Sequence, residues 1–161
     1  MKPSYGRSRS GTRVIKKTNI YPFKRYNMLC AICANKVVSW KLYKDIKSGL
    51  KTQNILYFYD EFIKDNYKNY LIIIDNSIIH KSKMIREKIE DNHNYLLYSV
   101  PYHPETKHIE EFFSQLKHYI KKESPNTYED IDTTIKDILA NKIKKEHLIN
   151  FLKHSYKIYK S

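Results

Sequence analysis

The sequence predicts a single α/β domain, and three observations carry that expectation. Two short, β-prone apolar runs at 70–74 and 95–100 flank a polar stretch at 81–90 whose Met84, Ile85 and Ile89 suit a helix. Strand, helix, strand is the pattern of a parallel crossover unit. Two earlier β-prone runs, 26–34 and 37–43, are separated by Asn35-Lys36 in the manner of a hairpin. The 161 residues, 41% hydrophobic, suffice for one core, and no internal repeat or linker marks off a second domain within 1–161.

The elements follow in order. Residues 1–11 are polar and rich in Gly, Ser and Arg, which reads as extended chain or loop, and 12–18 read as a short strand. After the hairpin, Ser48-Gly49 breaks the chain. Residues 53–65 then set Ile55, Leu56, Phe58, Tyr59, Phe62 and Ile63 at helical spacing. The run at 70–74 is continuously apolar, so a strand covered on both faces is expected there. It stops at Asp75-Asn76, and the run at 95–100 stops at Pro101 and Pro104. A helix over 109–120 gathers Ile109, Phe112, Phe113, Leu116, Tyr119 and Ile120 on one side. Two further helices are expected over 127–139 and 145–156.

The charge narrows the function classes. Thirty Lys and Arg face 17 Asp and Glu, a formal +13, which suggests a polyanionic partner. The basic residues are spread along the chain, so a whole face of the domain is expected to be positive. Lys, Asn, Ile and Tyr all have AT-rich codons, so base composition contributes to the excess. No apolar run approaches the roughly 20 residues that span a bilayer, so no membrane partner is expected. The basic N-terminus lacks the apolar segment of a signal peptide. Cys30 and Cys33 make no disulfide framework. Their C-x-x-C spacing has no second Cys or His pair to match it. In a strand, residues three apart also point to opposite faces, so both read as ordinary buried thiols.

Two acidic positions draw chemical interest. Asp75 ends an apolar strand, and in open α/β sheets ligands gather outside the carboxyl ends of strands. A turn or capping aspartate fits the same position. Glu110 and Glu111 open the helix at 109–120. At about 100° per residue, Glu110 lies beside the apolar stripe, near Phe113 and Lys117, and Glu111 points further toward solvent. An acidic residue is favourable at any helix N-terminus. Taken together, Asp75 and Glu110 are hard oxygen donors from separate rigid elements, as a two-metal nucleic-acid enzyme requires.

The motifs around them resemble a known family. Ile72-Ile73-Ile74-Asp75-Asn76-Ser77-Ile78-Ile79-His80 resembles the second motif of the DDE transposases of the Tc/mariner superfamily and their bacterial insertion-sequence relatives. The stretch from Pro101 to Lys117, with Pro101-Tyr102-His103-Pro104 and then Ile109-Glu110, resembles the third motif. There the family has a tyrosine-serine-proline run followed by an Ile-Glu pair. The 34 residues between Asp75 and Glu110 match the family's typical gap. Tyr5-Gly6-Arg7-Ser8-Arg9-Ser10-Gly11-Thr12-Arg13-Val14 resembles the segment just after the first motif. The resemblance runs in order from Tyr5 to Lys122.

It implies a ribonuclease-H-like (DDE transposase/integrase) fold. Asp75 and Glu110 are then the second and third catalytic, metal-binding acids, for Mg²⁺ or Mn²⁺. Asn76 and His80 flank the second acid as supporting residues that orient it or contact DNA. The implied chemistry is hydrolysis of a DNA strand at the transposon end, then strand transfer by the freed 3′ hydroxyl, inside the cell wherever the target DNA lies. The chain also departs from the family. The first Asp lies upstream of the tyrosine-glycine-arginine segment, and Met1 to Ser4 contain no acid. No N-terminal helix-turn-helix region is expected. His103, Lys107 and His108 stand where the family has Ser, Asn and Pro. The resemblance therefore implies a sheet lacking its central first strand, open backbone edges, and weak or absent cleavage by this chain alone. A homo-oligomer or a chain supplying the strand is the implied partner beside DNA. The alternatives are a non-catalytic DNA-binding remnant and a basic structural protein.

Overall fold

The protein's structure, a computed structural model, describes residues 9–11, 26–44, 49–99 and 108–157. The expected strand at 12–18 and the loop at 100–107 lie outside the described residues. The elements are β1 (Asn27–Ile32), β2 (Val37–Tyr43), α1 (Thr52–Phe62), β3 (Leu71–Ile74), a 3₁₀ turn (Ile78–Lys81), α2 (Lys83–Asp91), β4 (Tyr95–Tyr98), α3 (His108–Glu123), α4 (Tyr128–Asp137), a π turn (Ile138–Lys142) and α5 (Lys145–Lys157).

β1 and β2 form the expected antiparallel hairpin, running from Asn27↔Tyr43 to Ile32↔Val37 with an irregularity at Ala31/Ile32. β1 ends at Ile32, so Cys33 sits in the turn and not in the strand, because the register shift consumes the last pairing positions. Side-chain alternation gives the hairpin two distinct faces. Met28, Cys30, Ile32 and Val37 pack onto a core of Phe112, Leu116, Ile138, Ile143 and Leu148 from α3, the π turn and its exit, and α5. On the other face Lys41 reaches Glu61 of α1 at 2.5 Å, and the Tyr43 hydroxyl donates to the Asn54 carbonyl at 3.5 Å.

β3 and β4 pair in parallel from Leu71↔Tyr95 to Ile74↔Tyr98, with α2 as the crossover the sequence predicts. Ile72, Ile74 and Leu96 pack on a second core of Leu56, Tyr59, Ile85 and Ile89. One expectation fails here. β3 is not covered on both faces: Leu71, Ile73, Tyr95 and Leu97 are between 45% and 65% exposed. α1 and α2 cover one side, while α3 and α5 pack on the hairpin. A continuous apolar run records that both faces tolerate burial, not that both receive it.

Among the described residues the strands thus form two separate two-stranded sheets, and the buried residues form two separate clusters. Asn94, 3% exposed, ties together the β3–β4 side. Its Nδ2 donates to the Tyr59 hydroxyl and the Tyr67 carbonyl, each at 2.9 Å, and its Oδ1 accepts from Tyr70 N–H at 2.9 Å. The helix expected over 127–139 stops at Asp137, where the chain enters the π turn and Ile143 N–H donates to the Ile138 carbonyl at 2.9 Å.

Candidate active site

Asp75 follows the last residue of β3, at the edge where β3 and β4 both end. The parallel ladder closes just before it, through Ser99 N–H donating to the Ile74 carbonyl at 2.9 Å. The backbone that presents Asp75 is therefore pinned on its β4 side. Its side chain is half exposed, and one carboxylate oxygen accepts from Ser77 N–H at 3.2 Å. That bond is the aspartate turn that the Asp-Asn pair predicts.

The 3₁₀ turn that follows folds His80 back onto Asp75. His80 Nδ1 meets both the Asp75 carboxylate and, at 3.2 Å, the Asp75 carbonyl. Both partners are acceptors, so Nδ1 carries the hydrogen and donates. The imidazole is only 17% exposed. Its own backbone is held by the Tyr98 hydroxyl, which donates to the His80 carbonyl at 3.2 Å. Thr52 Oγ1 at the start of α1 donates to the neighbouring Ile79 carbonyl at 3.2 Å. β4 and α1 therefore fix the turn, the turn fixes His80, and His80 fixes the carboxylate. Asn76 lies within this loop, and its Oδ1 is buried without a hydrogen-bond partner, as are Ser77 Oγ and Ser99 Oγ. Orphaned buried oxygens are rare in folded proteins, and a functional role is one explanation for them.

Glu110 comes from a different element, the first turn of α3. The structure brings Asp75, Asn76 and His80 into one loop and supplies Glu110 separately. Among the described residues no group of three or more His, Cys, Asp or Glu side chains converges to hold a metal ion. The expected exposure of the two glutamates is reversed. Glu110 is exposed, whereas Glu111 is half-buried and accepts from His154 Nδ1 of α5 at 2.5 Å. The helical wheel of α3 counts only its own apolar positions, and α5 covers the Glu111 flank. Nothing local in the sequence signals that pairing, since 43 residues separate the partners. Beside them, His108 is held below the ordinary histidine range by burial, with the Glu111 charge opposing.

The donor set suits a hard divalent cation. Two carboxylates are its natural ligands, and Mg²⁺ is commonly held by one or two carboxylates plus substrate phosphates. The His80–Asp75 pair has the form of a ligand with an orienting partner.

The fold is similar to that of solved mariner transposase structures. A crystal structure of the Mos1 strand transfer complex aligns at a TM-score of 0.76 and 13% identity, over 96% of this chain and 47% of that one. The Mos1 mariner paired-end complex with Mn aligns at 0.77 and 14%, over 94% and 47%. The catalytic domain of Mos1 mariner transposase aligns at 0.73 and 13%, over 83% and 70%. The chain thus spans about half the length of the first two. Comparison with curated proteins finds no match. Residues 1–133 match the DDE superfamily endonuclease family, and the chain belongs to that family.

Proposed function

We propose that this chain is the catalytic portion of a DNA transposase, contributing Asp75 and Glu110 to a site that cleaves and rejoins DNA strands with Mg²⁺ or Mn²⁺. The observation that carries this reading is the Asp75 carboxylate, presented at the carboxyl ends of two parallel strands and held there by His80. Bound divalent metal supplies activation of the attacking oxygen and stabilisation of the leaving oxygen of the phosphodiester. Asp75 and Glu110 would hold it, His80 keeps the Asp75 oxygens facing outward, and the basic surface draws in the DNA backbone. The expected reaction is hydrolysis at a transposon end followed by attack of the freed 3′ hydroxyl.

By the family resemblance, the first of the three carboxylates belongs on a strand upstream of the Tyr5-Gly6-Arg7 segment. A segment adding beside the two described ladders, from upstream residues, a second copy or another chain, would bring that acid. A second reading, a non-catalytic DNA-binding domain, is favoured by the net +13 and the absence of a three-ligand cluster among the described residues. Mn²⁺-dependent nicking of supercoiled DNA separates the two. Nicking by the chain that is lost in both Asp75→Ala and Glu110→Ala supports the catalytic reading. DNA binding that falls steeply with salt, without nicking even when a strand-supplying chain is added, supports the second.

A further inference from the structure

Glu110 and Glu111 are adjacent, chemically equivalent donors, and a rotation of α3 by about 100° exchanges their directions. Something must decide which one faces the site. Burial of Phe112 and Leu116 in one core with Leu148, with Phe151 packed against it, sets which side of α3 faces inward. The finer rotation within that seat is held by two polar bonds along one stripe of α3. Glu111 accepts from His154 Nδ1 at 2.5 Å. One turn later, Gln115 Nε2 meets His147 Nδ1 at 3.2 Å. His147 is itself seated, because Lys144 N–H donates to the same nitrogen at 3.3 Å. Both of its neighbours are donors, so Nδ1 of His147 accepts. Two bonds four residues apart on the same helix face oppose rotation about the α3 axis. They bind Glu111 to α5 and leave Glu110 on the exposed face with Ser114 and Lys117.

We propose that α5 sets the aim of Glu110, with His154 and His147 as positioning residues acting through Glu111 and Gln115. The proposal rests on the reading of Glu110 as a metal ligand. α5 lies beyond the residues that match the family, so the restraint comes from a part of the chain that the family pattern does not describe. The His154 side chain is 65% exposed, and an exposed ion pair adds little stability. Its removal should therefore change metal binding far more than folding.

The test is Mn²⁺ affinity of the full chain by electron paramagnetic resonance, beside its thermal midpoint. Asp75→Ala and Glu110→Ala report on the site itself. His154→Leu keeps bulk and removes the donor; His154→Gln keeps a donor within reach of Glu111. Loss of an orienting partner typically weakens a metal site 10–100-fold, and an effect relayed through a helix belongs at the low end. His154→Leu and His147→Leu should each bind Mn²⁺ about tenfold more weakly at an unchanged midpoint, with His154→Gln close to wild type. Wild-type affinity in both leucine variants, where Glu110→Ala has lost it, overturns the proposal and spares the site. Wild-type affinity in Asp75→Ala and Glu110→Ala overturns the site, and the proposal with it. Equal weakening in His154→Leu and His154→Gln also overturns it, since the donor is then irrelevant.

Discussion

The Nδ1 of His80 is shared between two oxygens of one residue, the side-chain carboxylate and the carbonyl of Asp75. A single imidazole thereby fixes both the backbone and the side chain of the proposed ligand. Replacing it by alanine frees the carboxylate to rotate, and the entropy of ordering it then falls on metal binding. His80→Ala is expected to weaken Mn²⁺ binding by roughly 10–100-fold, with Asn at the same position recovering part of the loss. Titration of both variants with Mn²⁺ decides this. Equal affinity in wild type and His80→Ala would mean that the pair is ornamental to the site.

How much of this was readable beforehand follows the range of each interaction. The hairpin, the crossover and the helices are set by periodicity within windows of a dozen residues, and the sequence displays them. Asp75 and His80 are five residues apart, and the motif carrying them is local. Glu111 with His154, by contrast, is decided by how α5 lands on α3, which no local pattern encodes. The bare face of β3 was missed for a related reason. Leu71 and Ile73 are as apolar as Ile72 and Ile74, yet only the latter pair meets α1 and α2. Composition gives the capacity for burial, and topology decides its use.

Asn94 is the polar centre of the β3–β4 side, its side chain bonded to Tyr59 of α1 and to Tyr67 and Tyr70 of the connection before β3. Asn94→Ala leaves the Tyr70 N–H and the Tyr67 carbonyl without this partner in a part-buried setting. At about 1–3 kcal/mol for each buried group left unpaired, the variant should lose about 2–6 kcal/mol, toward the low end because both bonds are only part-buried. Urea denaturation should read this as a lower midpoint at an unchanged slope. A loss below half a kilocalorie would show that water reaches those groups freely.

The two cysteines should behave differently toward a thiol reagent. Cys30 lies in β1 against the core of α3 and α5, and burial pushes its thiol up to about 12. The thiolate is the reactive form, so Cys30 should stay silent at pH 8 until the chain unfolds. Cys33 sits in the hairpin turn and should react first. Counting thiols released by an aromatic disulfide, with and without denaturant, checks the order. Rapid modification of both in the native chain contradicts the packing of β1.

The start of α4 offers a pH test. Thr127 and Asp130 form a reciprocal capping box: Asp130 N–H donates to Thr127 Oγ1 at 3.1 Å, and Thr127 N–H donates to Asp130 Oδ2 at 3.0 Å. Thr127, first through its side chain and then its backbone, holds the Asp130 carboxyl below the ordinary aspartate range, and burial opposes only weakly. A depressed folded value means that the charged form favours the fold. This contribution is complete above the unfolded value of about 4 and disappears as pH falls through the lowered folded value. Asp130→Asn should therefore be less stable than wild type by a constant amount at neutral pH, with the gap closing only below about pH 4. Thr127→Ala, which removes the cap itself, should lose about 1 kcal/mol at neutral pH. Urea midpoints of the three chains from pH 7 down to pH 2 test both statements. A wild-type-to-Asp130→Asn gap that persists unchanged at the acid end would show that the carboxylate's charge plays no part in starting α4.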